Sequence, residues 1–285
     1  MYSWDDNGPG LSRPSSSTSR SYSTARVVKN RSDLQHTYKD EFLKTHSPYP
    51  LVVGIDTTGS MEEWPEIFFE KLPLLYKEAM KYFPGIEISF QAINDYEADG
   101  HDVALQPTPF GRHEMLDKHI GELYPVGGGG GQVMESYEMF AAYNLFMETP
   151  EAKIKPIVII LGDEAPFPQL PPNVAKFYGL TTRNQDVPSE KIFDLLQKKC
   201  NVYLIRKPYD GQDKEIVDIW KNIGHMNPEK ISTIKDPRRV VDVILGILSI
   251  IAGKIDMFQQ ELASRQESHQ IIEVNAALKN ITGEK

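Results

Sequence analysis

The chain has 285 residues, 40% of them hydrophobic and 25% charged, with a formal net charge of −9, a make-up that fits a soluble globular protein with one large core or two small ones. Residues 1–32 are locally basic, with Arg13, Arg20, Arg26, Lys29 and Arg31 against Asp5 and Asp6. The remainder is therefore more acidic than the total, which argues against a nucleic-acid-binding face, since such faces need clustered Lys and Arg.

The N-terminal stretch "MYSWDDNGPGLSRPSSSTSRSYS" is rich in Ser, Arg, Gly and Pro, without an apolar period or the apolar core of a signal peptide. A disordered tail and lead-in is expected over residues 1–47. From "YPLVVGID" onward, short apolar runs alternate with amphipathic stretches. Strands are expected at 51–56, 86–94, 154–163, 201–207 and 230–234, and helices at 62–83, 113–123, 134–148, 189–199, 213–223 and 238–253. This alternation predicts crossover connections and an α/β fold: a Rossmann-like, doubly wound, mostly parallel sheet with helices on both faces. The segment "DVALQPTPF", 102–110, follows the second strand too closely for a crossover helix and is expected as one antiparallel edge strand.

The most apolar segment, "VVDVILGILSIIAG" at 240–253, carries Asp242 and is shorter than the roughly 20 residues a bilayer span needs. It is expected to be a buried helix, with no membrane partner. Residues 254–285 form a C-terminal extension, helical over 256–281, whose apolar Ile271, Val274, Leu278 and Ile281 are spaced to pack back on the domain. Cys200 is the only cysteine, so an intrachain disulfide and a cysteine-built zinc site are excluded and a reducing, cytoplasmic setting is expected.

Chemistry concentrates where apolar strands end. "VVGIDTTGSM" places Asp56, Thr58 and Ser60 two residues apart at the carboxyl end of the first strand, where open α/β sheets collect ligands. One carboxylate and two hydroxyls suit Mg²⁺, which takes hard oxygen ligands and keeps several waters. The same residues also fit a plain N-cap of the following helix. "PIVIILGDEAPF" repeats the pattern, ending in Asp163. If its strand neighbours the first, the two carboxylates repel, and a cation relieves that repulsion.

Asp56-x-Thr58-x-Ser60 resembles the Asp-x-Ser/Thr-x-Ser signature of von Willebrand factor A (vWA) domains, and "IILGDEAP" resembles their later strand-Asp element. "FQAINDYEADG" is similar to a segment of alpha-kinase-associated and bacterial intracellular members. The resemblance covers about 48–253 and implies a vWA fold with a metal-ion-dependent adhesion site (MIDAS). In it Mg²⁺ (or Mn²⁺) is held by Asp56, Thr58, Ser60 and Asp163. The family's loop threonine is missing: "PVGGGGGQVMESYEMF" offers Gln132 and Glu135, which with Asp95 are candidates for the outer shell of the metal. Gly129, Gly130, Glu164 and Phe167 are expected on the partner-binding rim.

The function implied is a non-enzymatic, Mg²⁺-dependent protein-binding module whose partner supplies an Asp or Glu carboxylate to the ion. Intracellular relatives suggest a MoxR-type AAA+ ATPase or a multi-protein complex as partner. The alternative is a Mg²⁺-dependent phosphohydrolase of haloacid-dehalogenase type with Asp56 as nucleophile, in which Thr58 stands where such enzymes carry their general acid.

Overall fold

A parallel sheet covered on both faces buries every residue of its inner strands, so those strands appear as nearly unbroken apolar runs. The computed structural model describes residues 42–124, 126 and 133–282. In chain order these form β1 Pro50–Asp56, α1 Trp64–Glu70, α2 Leu72–Tyr82, β2 Glu87–Ile93, β3 Leu105–Pro107, α3 Glu114–Ile120, β4 Met134–Glu135, α4 Tyr137–Asn144 and β5 Ile157–Gly162. There follow β6 Ala165–Pro166, β7 Gln169–Leu170, α5 Pro172–Phe177, β8 Val187–Pro188, α6 Ser189–Lys199 and β9 Asn201–Arg206. The chain then forms α7 Asp213–Asn222, β10 Ile231–Thr233, α8 Val240–Ile251, α9 Ile255–Arg265 and α10 Ser268–Thr282.

The main sheet has the order β10-β9-β5-β1-β2-β3. All its neighbours are parallel except β2 and β3, which pair antiparallel at the edge. Alternate side chains feed two cores. Leu51, Val53 and Ile55 of β1 and Ile157, Ile159 and Leu161 of β5 join the core under α1, α2, α8 and the C-terminal helices. Val52, Val158 and Ile160 join the core under α4, α6 and α7. The result is a mixed α/β, Rossmann-like architecture with helices on both faces.

Several boundaries differ from expectation. The helix expected over 62–83 is two helices broken at Lys71; Pro73 enters the second at its first turn, where the missing N–H does no harm, whereas inside one long helix it would remove a hydrogen bond. The helix expected from 134 starts at Tyr137, because Met134–Glu135 is drawn into pairing with Ala165–Pro166. The segment 164–188, in which neither strand nor helix is expected from the sequence, is rich in Pro and has structure of its own, β6, β7, α5 and β8. The C-terminal extension is two helices with a break between Arg265 and Ser268.

α8 is apolar on nearly every face, as a fully buried helix must be. Gly246 lets α10 approach it so closely that a Cβ there would stand 2.3 Å from Leu278 Cδ1. Among the described residues no helix is long and apolar enough to cross a membrane. Residues 1–41 of the expected tail lie outside the described residues.

Candidate metal centre

β1 has β2 on one side and β5 on the other, and the chain leaves it for β2 but reaches β5 only later. The strand order therefore reverses between β1 and β5, which opens a crevice at their carboxyl ends. The register pairs Ile55 with Leu161, which brings the following residues, Asp56 and Gly162-Asp163, to the mouth of that crevice.

Local hydrogen bonds then aim the side chains. Thr57 turns away and ties the loop to β2, its N–H donating to Ile93 O at 2.9 Å and its hydroxyl to Asn94 Oδ1 at 2.7 Å. Thr58 turns inward, and both its N–H (2.9 Å) and its hydroxyl (2.6 Å) donate to Asp56 Oδ1. Ser60 Oγ lies 3.2 Å from Thr58 Oγ1 and donates to Asp163 Oδ1 at 3.0 Å. One continuous chain of oxygens thus runs Asp56–Thr58–Ser60–Asp163. The N-cap alternative does not match this geometry: neither the short 3₁₀ turn Gly59–Met61 nor α1 has a side-chain cap. Glu62 closes the turn at φ 50, a left-handed conformation that non-glycine residues adopt only where their surroundings enforce it.

Two residues missed in the sequence complete the first carboxylate's surroundings. Tyr137, the first residue of α4, donates its hydroxyl to Asp56 Oδ2 at 2.5 Å. Gly162 makes room for it, since a Cβ there would lie 1.9 Å from the Tyr137 oxygen. A tyrosine in an apolar helix looks like core, so the sequence offers no signal for this role. We expect Gly162→Ala to push the ring off Asp56 and lower stability by about 1–3 kcal/mol, the usual cost of overpacking. A thermal melt shows this directly; an unchanged melting temperature would mean that the Tyr137 contact is dispensable.

On the Asp163 side stands Lys207, just past β9. Its ammonium lies 3.6 Å from Asp163 Oδ2 and 3.4 Å from Glu62, and it donates to the Ser60 carbonyl. Even so, Asp163 Oδ2 is buried without a hydrogen-bond donor. Arg206 and Trp220 fix the backbone beneath: Arg206 Nη2 donates to Asp163 O at 3.3 Å and Trp220 Nε1 to Glu164 O at 2.8 Å.

The electrostatics follow from burial. Asp56 is pushed up to about 8, first by loss of water and then by the negative charge of Asp163. Burial also raises Asp163, with Lys207 opposing the shift. Glu135 is pushed up to about 12 by burial and then by Asp56 and Glu164. Glu164 rises to about 7 by burial and then by Asp163.

The remaining expected residues divide. Asp95, at the end of β2, is buried and accepts the Glu97 N–H at 2.6 Å, and it faces Glu135 electrostatically. Glu135 lies close enough to Asp56 for that charge to act on it. Glu164 and Phe167, expected on the partner-binding rim, are both buried. Phe167 packs on Tyr96 with ring centroids 4.4 Å apart, because β6 draws the chain back over the sheet end. Gly129, Gly130 and Gln132 lie outside the described residues.

No family model matches this chain, and no curated protein matches it. Among solved structures it is similar to the pilus adhesin SpaC from Lactobacillus rhamnosus GG in its open conformation, with 12% identity and a TM-score of 0.50 over 78% of this chain and 31% of that one. A further crystal form of SpaC gives 12% identity and a TM-score of 0.48, with 78% and 32% covered. This chain thus spans about a third of the adhesin, and at such identity the likeness concerns the fold.

The donor set fits a hard cation. It is made of oxygen throughout, it contains two buried carboxyls whose charges oppose each other, and one carboxylate oxygen has no donor. Among the described residues no three His, Cys, Asp or Glu side chains form a cation cage; Thr58 and Ser60 bring hydroxyl oxygens between the two carboxyls.

Proposed function

We propose that this chain is a vWA-type, non-enzymatic protein-binding module with a MIDAS-type site in which Asp56, Thr58, Ser60 and Asp163 hold Mg²⁺ (or Mn²⁺). The observation that carries the reading is the oxygen chain Asp56–Thr58–Ser60–Asp163, whose hydroxyls join two buried carboxyls and cap no helix. A bound divalent ion would neutralise those carboxyls and accept a carboxylate from outside. The protein's own residues do the rest. Thr58 and Tyr137 hold both oxygens of Asp56, Ser60 orients Asp163, and Lys207 shares the Asp163 charge until a cation takes it. Resemblance to intracellular vWA proteins suggests an AAA+ ATPase of MoxR type as the source of the incoming Asp or Glu; that part is analogy.

The phosphohydrolase alternative gains nothing from the geometry. Thr58, whose hydroxyl donates to Asp56 Oδ1, stands where such enzymes carry their general acid. Phosphate esters and nucleotides are expected to pass without turnover. Mg²⁺-dependent phosphate release that vanishes in Asp56→Asn would reverse this assignment.

Capture of partners by the full chain from native lysate, with Mg²⁺ and with a chelator, tests the module. A protein retained with Mg²⁺ and released by chelator is expected. Calorimetric titration of Mg²⁺ should then show tighter binding in the presence of that partner, by the same factor by which Mg²⁺ tightens the partner. Equal Mg²⁺ affinity in both titrations would mean that the ion does not bridge the two proteins.

A further inference from the structure

Glu135 and Glu164 are not among the four residues assigned to the first ion, yet both are carried to its site by the backbone. β4 pairs in parallel with β6, Met134 opposite Ala165 and Glu135 opposite Pro166, so Glu135 runs beside the segment that leaves Asp163 and Glu164. Glu135 is 2% and Glu164 5% exposed. Each has one carboxylate oxygen, Oε2, that is buried without a hydrogen-bond partner. The two carboxyls act on each other, and the Ser60 and Tyr209 hydroxyls favour the ionised form of Glu164. The anchored Glu164 carbonyl holds that side chain in place.

Charge makes the arrangement informative. Asp56, Asp163, Glu135 and Glu164 bring four carboxyls to one crevice, against one ammonium, that of Lys207 beside Asp163. One ion held by Asp56 and Asp163 leaves the Glu135 and Glu164 carboxyls still crowded together, with Asp95 close enough to act on Glu135. Two carboxylates with unfilled oxygens and two hydroxyls, all oxygen, are the donors a hard divalent cation takes. We propose that Glu135 and Glu164 bind a second divalent cation, next to the first and linked to it through Ser60. The inference rests on the first ion being held as described above. A pair of ions would offer an incoming carboxylate one landing position for each of its oxygens, as neighbouring ions do in two-metal sites.

Mn²⁺ is the probe. Equilibrium dialysis of the full chain against Mn²⁺, with metal counted by atomic emission, should give two ions per chain for the wild type and one for Glu135→Gln/Glu164→Gln. The electron paramagnetic resonance signal of the wild type should broaden through coupling between the ions, and the double variant should return the sharp signal of an isolated ion. If the double variant does not fold, Glu164→Gln serves, with an expected loss of at least about tenfold in affinity for the second ion. One ion per chain in the wild type would overturn the second site and leave the first standing. No bound Mn²⁺ at all would overturn the proposed function with it.

Discussion

Asp56→Asn is expected to abolish divalent-metal binding, and with it metal-dependent capture of a partner, while the fold persists. Even residues outside a metal's first shell cost about 10–100-fold in affinity when mutated, so loss of a carboxylate that holds the ion should cost at least about that much. The fold should survive because the amide preserves the local bonds. Its oxygen still accepts from Thr58, and its nitrogen can donate to the Tyr137 hydroxyl that formerly donated to Asp56 Oδ2. The metal-free variant should be at least as stable as the wild type, since a buried carboxyl repelled by Asp163 is gone. Asp56→Ala is the harsher change: it leaves the buried Tyr137 and Thr58 donors unpaired, at about 1–3 kcal/mol for each group. Calorimetric titration with Mn²⁺ and a thermal melt on the same sample settle both halves. Unchanged Mn²⁺ affinity would remove Asp56 from the site, and loss of the cooperative transition would make it a structural residue.

The metal-free protein should lose stability as pH rises from about 4 to about 8. In the unfolded chain Asp56 titrates near 3.8, and in the folded protein near 8. Between these values the unfolded state has released a proton that the folded state keeps, so stability falls with pH by up to about 1.4 kcal/mol per unit for one such group. Glu164, raised to about 7, and Glu135, raised to about 12, push the same way. Asp213 and Asp236, lowered by Arg206 and Arg238 respectively, act oppositely, but only below the unfolded carboxylate range. A divalent cation favours the ionised carboxylates and competes with their protons, so its affinity should climb across the same window. Added Mg²⁺ should therefore flatten or reverse the slope. Melting temperatures recorded with chelator and with Mg²⁺ at several pH values measure this; a metal-free protein whose stability is flat over the window would show that these carboxyls are ionised in the folded state as in the unfolded one.

Asp56 and Asp163 were legible as neighbours because two apolar runs of strand length each end in an aspartate, and a doubly wound sheet places such runs together. The register that aligns Ile55 with Leu161 makes that pattern spatial. The antiparallel edge strand was legible for a different reason, a connection too short for a crossover. Glu135 gave a weaker signal. Its two-residue strand exists only because Ala165–Pro166 returns across the sheet end, and no local periodicity announces a contact between segments so far apart. The burial of Glu164 and Phe167 was illegible on the same account, since a Pro-rich connection looks exposed until a strand pair pulls it inward. The break at Lys71 was missed because the apolar spacing of α1 continues into α2, and only the prolines mark where one helix cannot pass into the next.

The central position of β1 also governs how the chain can assemble as it is made. One edge of β1 is closed early by β2, close behind it in the chain. The other edge waits for β5, which lies in the second half of the chain, and β5 in turn is covered by β9, later still. During synthesis an apolar parallel strand therefore presents an open hydrogen-bonding edge to other nascent chains until much of the protein has emerged. Non-local parallel pairing of this kind is slow, and exposed strand edges are where association between incomplete chains begins. Recombinant yield should respond more to slower synthesis, lower temperature and chaperone supply than to substitutions that raise the stability of the finished fold.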